Sequence, residues 1–346
     1  MGSRGWKSFL VVLACSLVCT GIGWADTIIN PDLYSELGGG WEEYTVKKGD
    51  RLPAIAQRRA MRWRVLAKQN NLKNPDTLKP GTVLRLNNTF ILPNDLTDGL
   101  VVNLPELAVY HFENGVLRRR YALAAGRTDW QTPTGNYKIL NKAKNPTWRV
   151  PISIQDYMWA KGLPVVTEVP PGPKNPLGAY WMATSAPGVG FHATIKPWSI
   201  GHFASHGCLR MLPDEIEELF PLIEVGTPVK IMYKPIKLAV TSDNRVFLEV
   251  HRDVYKKAPN LLKDVETLIK NKQLADRVDW RRVHQVVKER DGVAEDVTLY
   301  PPRAEVLSPI SNRLYSGEIV TKPVDPPLPP EVQPDIKKKP VAPSGS

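Results

Sequence analysis

Two apolar runs, 107–112 and 116–122, flank Glu113-Asn114-Gly115. Asn-Gly between alternating apolar segments is the strongest short hairpin signal, because both central positions of the favoured turn need positive φ. The run 100–104 precedes this pair and 227–233 reads as a closing strand. Pro-Gly-rich punctuation at Thr132-Pro133-Thr134-Gly135 and Pro170-Pro171-Gly172-Pro173 keeps the elements between them short. Residues 97–235 are therefore expected to form a mainly β domain, a sandwich or barrel, with little helix. One helix is predicted there. Pro213-Asp214-Glu215 opens it, and Ile216, Leu219 and Phe220 form its inner stripe.

The rest of the 346-residue chain divides around this core, a length suited to several small domains. Arg4 and Lys7 precede a short apolar stretch, 9–18, that runs on to Trp24-Ala25. A positive start, a short apolar run and a small residue before Asp26 read as a secretory signal, residues 1–25. A membrane anchor needs about 20 apolar residues, and Ser16, Thr20 and Gly21 interrupt this one. Acylation at Cys15 is the alternative, opposed by the very short run before it. The chain is expected to be exported and not to span a membrane. Residues 26–40, ending in three glycines, read as a flexible lead.

Residues 41–93 read as strand, helix, helix, strand, with apolar spacing at Leu52, Ile55, Ala56 and at Val65, Leu66. Residues 236–308 are an accessory region: a hairpin, 236–240 and 245–250, then amphipathic helices near 261–269 and 278–287. The hairpin is expected to pack on the β domain. The tail, 309–346, is Pro-rich with a basic run at Lys337-Lys338-Lys339 and reads as disordered.

Charge and cysteine usage narrow the chemistry. The net charge of +11 favours anionic partners such as nucleic acid, membrane surfaces or cell-envelope polymers. No basic recognition helix or aromatic RNA-binding motif supports nucleic acid. Cys15 and Cys19 leave with the signal, so Cys208 is alone in the mature chain. In an oxidising compartment a solitary cysteine is a buried filler, an intermolecular partner or a working thiol.

Ser205-His206-Gly207-Cys208-Leu209-Arg210 favours the working thiol. A thiol near its reference pKa of about 8.5 is only a few per cent thiolate at neutral pH, so a nucleophile needs a base beside it. His206 is near in sequence, but residues two apart in an extended segment only share a face. His192 ends an earlier strand, and a loop through Pro197-Trp198 and Gly201 can bring the chain back beside it. Gly207 offers open space and backbone N–H groups for an oxyanion. The scattered histidines have no acidic partner at ligand spacing, so neither a metal nor a cofactor is expected.

Tyr44-Thr45-Val46, Gly49-Asp50, Ile55-Ala56, Asn70-Asn71-Leu72 and Pro80-Gly81 together resemble a LysM domain, a small α+β (βααβ) family that binds the N-acetylglucosamine of peptidoglycan or chitin. Arg51-Leu52-Pro53 departs from the family's usual Thr, Leu and aromatic residue. His192 with Ser205-His206-Gly207-Cys208-Leu209-Arg210 resembles the signature of the YkuD-type L,D-transpeptidases. Gly126-Arg127 with Thr132-Pro133-Thr134-Gly135, Asn145-Pro146-Thr147-Trp148, Pro170-Pro171-Gly172-Pro173 with Asn175-Pro176-Leu177-Gly178, and Ile200-Gly201 extend the match, which resembles most the periplasmic Gram-negative branch of the family.

The resemblance implies that Cys208 attacks the carbonyl of the third residue of a peptidoglycan stem peptide and expels D-Ala. His192 would be the acid/base, with His206, Ser205 and Gly207 in supporting roles. Arg210 would hold a substrate carboxylate or make a structural ion pair. Trp148, Tyr180 and Trp181 are candidate cleft residues. The acceptor would be another stem's diaminopimelate, a lysine of an outer-membrane lipoprotein, a free amino acid, or water in a hydrolase of the same fold. A peptidoglycan-binding scaffold with an idle thiol is the non-enzymatic alternative.

Overall fold

The computed structural model describes residues 33–73 and 78–300. The predicted signal and the Pro-rich tail lie outside the described residues. Among those described, no helix is long and apolar enough to cross a membrane.

The N-terminal unit has the expected order. Trp41–Thr45 pairs antiparallel with Val83–Asn87, and α1 (Leu52–Gln57) and α2 (Trp63–Gln69) lie between them in sequence. Leu52, Ile55, Ala56 and Leu66 turn inward onto Leu84 and Leu86. Asn71 ends the second helix by taking φ +53. Asn70 ties that end to the sheet, donating from Nδ2 to the Arg85 carbonyl and accepting from the Arg85 N–H.

The central domain is an eight-stranded sheet. Its order runs from Leu209–Arg210 through Gly190–His192, Tyr180–Thr184, Gly135–Lys144, Pro228–Met232, Gly99–Asn103 and Ala108–Glu113 to Val116–Ala122. Asn114 and Gly115 both have positive φ, +52 and +74, as the hairpin signal requires. The sheet curls until its ends meet. Ala124, just past the last strand, exchanges backbone hydrogen bonds with Arg210 of the first, both 2.9 Å. Leu100, Val109, Ile139, Phe191, Leu209 and Ile231 fill the interior. The predicted strand 100–104 stops at Asn103, because Pro105 opens a 3-10 turn that ends with Leu107 at φ +54.

Helix content exceeds expectation. α3 (Ile152–Ala160) rises between the paired strands Trp148–Arg149 and Glu168–Val169 and buries no residue, so no apolar stripe announced it. α4 (Pro213–Leu219) matches the prediction, with Ile216 and Leu219 buried.

The hairpin Ile236–Val240 and Val246–Val250 forms a four-stranded sheet with Leu33–Tyr34 and Glu295–Asp296. The described end of the expected flexible lead is thus ordered: Leu33 pairs with Leu238, and Tyr34 is buried. α5 (Leu261–Asn271) and α6 (Trp280–Glu289) cover one face of this sheet. The second starts two residues later than predicted, because the Asp279 carboxylate accepts from the Arg281 N–H and caps it.

The hairpin's other face carries charge into the interior. Lys237 Nζ lies 2.8 Å from Glu106 and 3.1 Å from Glu249, all three side chains fully buried. The Glu249 carboxylate also accepts from the Ile91 N–H at 2.6 Å. Glu106, Glu249 and His251 come close enough to hold a metal ion, which corrects the expectation that no such cluster exists. Glu249 and His251 lie two residues apart at the end of one strand, while Glu106 comes from the distant 3-10 turn, so the third member is not visible from sequence spacing. The Lys237 ammonium already supplies the cation there.

Candidate active site

Strand register builds the site. Gly190–His192 and Leu209–Arg210 run parallel, pairing Phe191 with Leu209 and His192 with Arg210. Side chains alternate along a strand. Phe191 and Leu209 point into the core, so His192 and Arg210 share the opposite face. Cys208, two residues before Arg210, falls on that face as well. Trp181, which pairs with His192 from the next strand, stands with its ring 6.0 Å from the imidazole. Gly190 is needed beneath it: a Cβ there would meet the Trp181 ring at 2.5 Å.

The imidazole of His192 is buried, with Nδ1 2.5 Å from the Ala193 carbonyl. A carbonyl only accepts, so Nδ1 carries the proton and Nε2 presents its lone pair. Burial, with the Arg210 charge, lowers the His192 pKa to about 4, against the smaller opposing effect of the Ala193, Leu177 and Pro176 carbonyls. The ring is neutral at pH 7. Asn175 holds the strap carrying two of those carbonyls, donating from Nδ2 to the Pro146 carbonyl and accepting from the Leu177 N–H.

Cys208 is half-buried, and its thiol donates to the Gly188 carbonyl at 3.4 Å. Burial raises the thiol pKa, offset in part by a Gly190 backbone contact and by Arg210. Burial thus favours the neutral form of both the Cys208 thiol and the His192 imidazole.

The nucleophile loop is held by named bonds. Ser205 Oγ donates to the Cys208 carbonyl at 2.6 Å and accepts from the Gly207 N–H at 3.1 Å. That bond engages the Gly207 amide, so the expected oxyanion donor is already taken. Gly207 is required instead for its φ of +106, with open space around it. Thr132 Oγ1 donates to the Gly207 carbonyl at 2.8 Å, and Tyr255 OH braces the same turn through Thr132 N–H and the Gly126 carbonyl.

His206 packs edge-on against Trp130 at 3.9 Å and lies 5.5 Å from Tyr157 of α3. Burial, then Arg127 and Arg210, lower its pKa to about 4. It is a neutral aromatic wall. Arg210 has no carboxylate partner among the described residues, and burial lowers its pKa. The ion-pair alternative for it therefore falls. Of the three candidate cleft aromatics, only Trp181 stands at His192; Tyr180 packs on Phe220, and Trp148 belongs to the strand pair beside α3.

Trp130, Tyr157 and Tyr255 carry no sequence signal as builders of this site, and Thr132 and Asn175 stand in the sequence only as parts of motifs without an assigned role. The Thr-Pro-Thr-Gly and Asn-Pro-Leu-Gly runs were visible signals for two of them.

The site thus gathers a thiol, an imidazole and a guanidinium that has no carboxylate partner among the described residues. Residues 97–231 match the L,D-transpeptidase catalytic domain (YkuD), and residues 44–87 match the LysM domain. The chain belongs to the YkuD L,D-transpeptidase family and carries a LysM domain. It is 29% identical to "Probable L,D-transpeptidase YcfS" of Escherichia coli over 79% of this chain and 88% of that one. The Bacillus subtilis L,D-transpeptidase-family protein YqjB is 35% identical over 40% of this chain and 69% of that one. The solved catalytic domain of an Enterococcus faecium L,D-transpeptidase is 24% identical over 40% of this chain and 99% of that one, with a TM-score of 0.31.

Proposed function

We propose that this protein is a periplasmic, cysteine-dependent L,D-transpeptidase acting on peptidoglycan stem peptides, with residues 97–235 as the catalytic domain and 41–93 as a glycan-binding module. The observation that carries the reading is the shared face of Cys208 and His192 at neighbouring parallel strands, with His192 Nδ1 engaged by the Ala193 carbonyl.

In the first half-reaction the Cys208 thiol gives its proton to His192 Nε2 as sulfur attacks the carbonyl of the third stem residue. The resting pair is neutral, so transfer and attack are coupled rather than sequential. The Gly207 amide is engaged, which leaves the Cys208 backbone N–H as the donor nearest the developing oxyanion. Collapse expels D-Ala, whose nitrogen takes the proton from His192, and leaves a thioester on Cys208. An acceptor amine then loses its proton to His192, attacks the thioester carbonyl and releases the thiol. Arg210 holds a carboxylate of the stem; a planar guanidinium suits that bidentate contact. The acceptor is an amine of a second stem or a lipoprotein lysine.

Incubating the protein with tetrapeptide muropeptides tests this. Cross-linked dimers, or transfer to a supplied lysine peptide, are expected, together with a carbapenem adduct on Cys208 by mass spectrometry. Tripeptides alone would make water the acceptor and the protein a hydrolase. An unchanged substrate together with no adduct would leave a binding scaffold. Product formed by Cys208→Ala would overturn the mechanism.

A further inference from the structure

A second cavity lies away from Cys208, His192 and Arg210, none of which lines it. It encloses about 460 Å³ among several parts of the chain, including α1 and the turn after it, the 3-10 turn at Pro105–Leu107, the loop that links His192 to Cys208, the stretch after the C-terminal hairpin, and Asp291-Gly292. That volume falls within the range of sites that hold a small ligand. Trp63, Trp198 and Phe203 supply its aromatic walls. Trp198 is 70% exposed, which is unusual for a tryptophan with only a packing role.

Its charge is one-sided. Arg62, Arg64 and Arg252 line it, against the carboxylates of Glu106 and Asp291. Glu106 is consumed by Lys237 and Arg120, and Asp291 by Arg62 and Lys68. Neither Arg64 nor Arg252 has a carboxylate partner among the described residues. The Arg64 guanidinium lies over the Trp63 ring, 4.6 Å from its centroid. The crowding is felt at Arg62, whose pKa is lowered by burial and then by Arg252, with Arg64 and Arg290 adding to it.

We propose that this cavity is a second peptide site, binding a short carboxylate-bearing peptide of the stem type. Arg64 and Arg252 take its carboxylates, and Trp63, Trp198 and Phe203 cover its apolar part. The choice of a stem peptide rests on the function proposed above; the charge and the aromatic lining do not. Glycan is not the primary ligand, because a neutral sugar makes no charge-assisted contact with either guanidinium group. The cavity wall and the nucleophile belong to one continuous stretch: Phe203–Ser205 leads directly into His206, Gly207 and Cys208. A peptide seated against Trp198 and Phe203 therefore bears on the segment that positions the thiol.

The test uses the protein from residue 26 onward carrying Cys208→Ala, titrated calorimetrically with a free stem tetrapeptide that lacks sugar. Two binding events are expected, one in the catalytic cleft and one here. Adding Arg64→Gln and Arg252→Gln should remove or weaken one of them at least tenfold, as should amidating the peptide's carboxylates. Trp198→Ala, at an exposed position that does not hold the core, should weaken the same event. A single event, or two events unmoved by these changes, would overturn the second site. Carbapenem acylation of the Arg64/Arg252 variant with Cys208 restored should equal wild type. Loss of acylation in the wild type would instead sink the active-site reading and leave the titration result standing.

Discussion

Ser205 and Cys208 are joined by a 2.6 Å hydrogen bond from the Ser205 hydroxyl to the Cys208 carbonyl, while the same oxygen accepts from Gly207 N–H. The four-residue turn Ser205–Cys208, with Gly207 at φ +106, is thereby closed from inside. Ser205 is buried, so no water substitutes for it readily.

Ser205→Ala removes both bonds and leaves a buried N–H and carbonyl short of a partner. The expected cost is about 1–3 kcal/mol of stability, read from urea unfolding. Carbapenem acylation should slow more than tenfold under conditions where the variant is fully folded. Wild-type acylation by the folded variant would show that the turn does not aim the sulfur.

The pH dependence of acylation follows from His192. Its folded pKa of about 4 lies below the ordinary 6.5, so the proton-accepting form is complete above about pH 5 and is lost as pH falls through 4. Acylation of Cys208 should therefore have an acid limb near pH 4. A midpoint near 6.5 would mean that the ring is not held in its buried, neutral state. The same depression weakens folding as pH drops from 6.5 toward 4, because the unfolded chain binds the proton more readily.

Lys237 tests the buried charge cluster. Lys237→Met leaves Glu106 and Glu249, both fully buried, without their shared cation. Breaking a buried pair by removing one partner costs about 3–5 kcal/mol, so a large fall in the unfolding midpoint is expected. A shift worth less than about 1 kcal/mol would show that Arg120 and His251 suffice to neutralise the site.

Glu215 carries the opposite sign. Its side chain is nearly buried, at 2% exposure, in the first turn of α4, 3.6 Å from Arg58 of the LysM unit. Burial raises its pKa to about 7 despite Arg58 and Arg119. The folded state thus holds the proton more tightly than the unfolded one. That contribution is whole below about pH 4.5 and lost as pH rises through 7. A carboxyl held near 7 instead of 4.5 costs about 3 kcal/mol once ionised. Glu215→Gln should therefore gain on wild type above pH 7 and lose that margin below pH 5. A pH-independent difference between the two proteins would contradict this.

Local signals in the sequence determined a great deal here. The Asn114-Gly115 hairpin, the α4 stripe, the two amphipathic helices near the C-terminus and the LysM order all depend on neighbours within a few residues. So does the identity of Cys208 and His192 as a candidate pair, through the motif that surrounds them. Long-range pairing decided the rest. Leu33 meets a strand 205 positions away, so a segment that looked like a flexible lead became part of a sheet. α3 buries no side chain, so no periodicity could reveal it. The bond from Thr132 to the Gly207 carbonyl, the packing of His206 against Trp130 and the contact between Arg210 and the His192 strand each depend on groups brought together from separate strands and loops. Periodicity and spacing report what a residue prefers beside its own neighbours in the chain. Hydrogen-bond partners, and the burial that moves a pKa, come from segments that only the folded chain brings into contact.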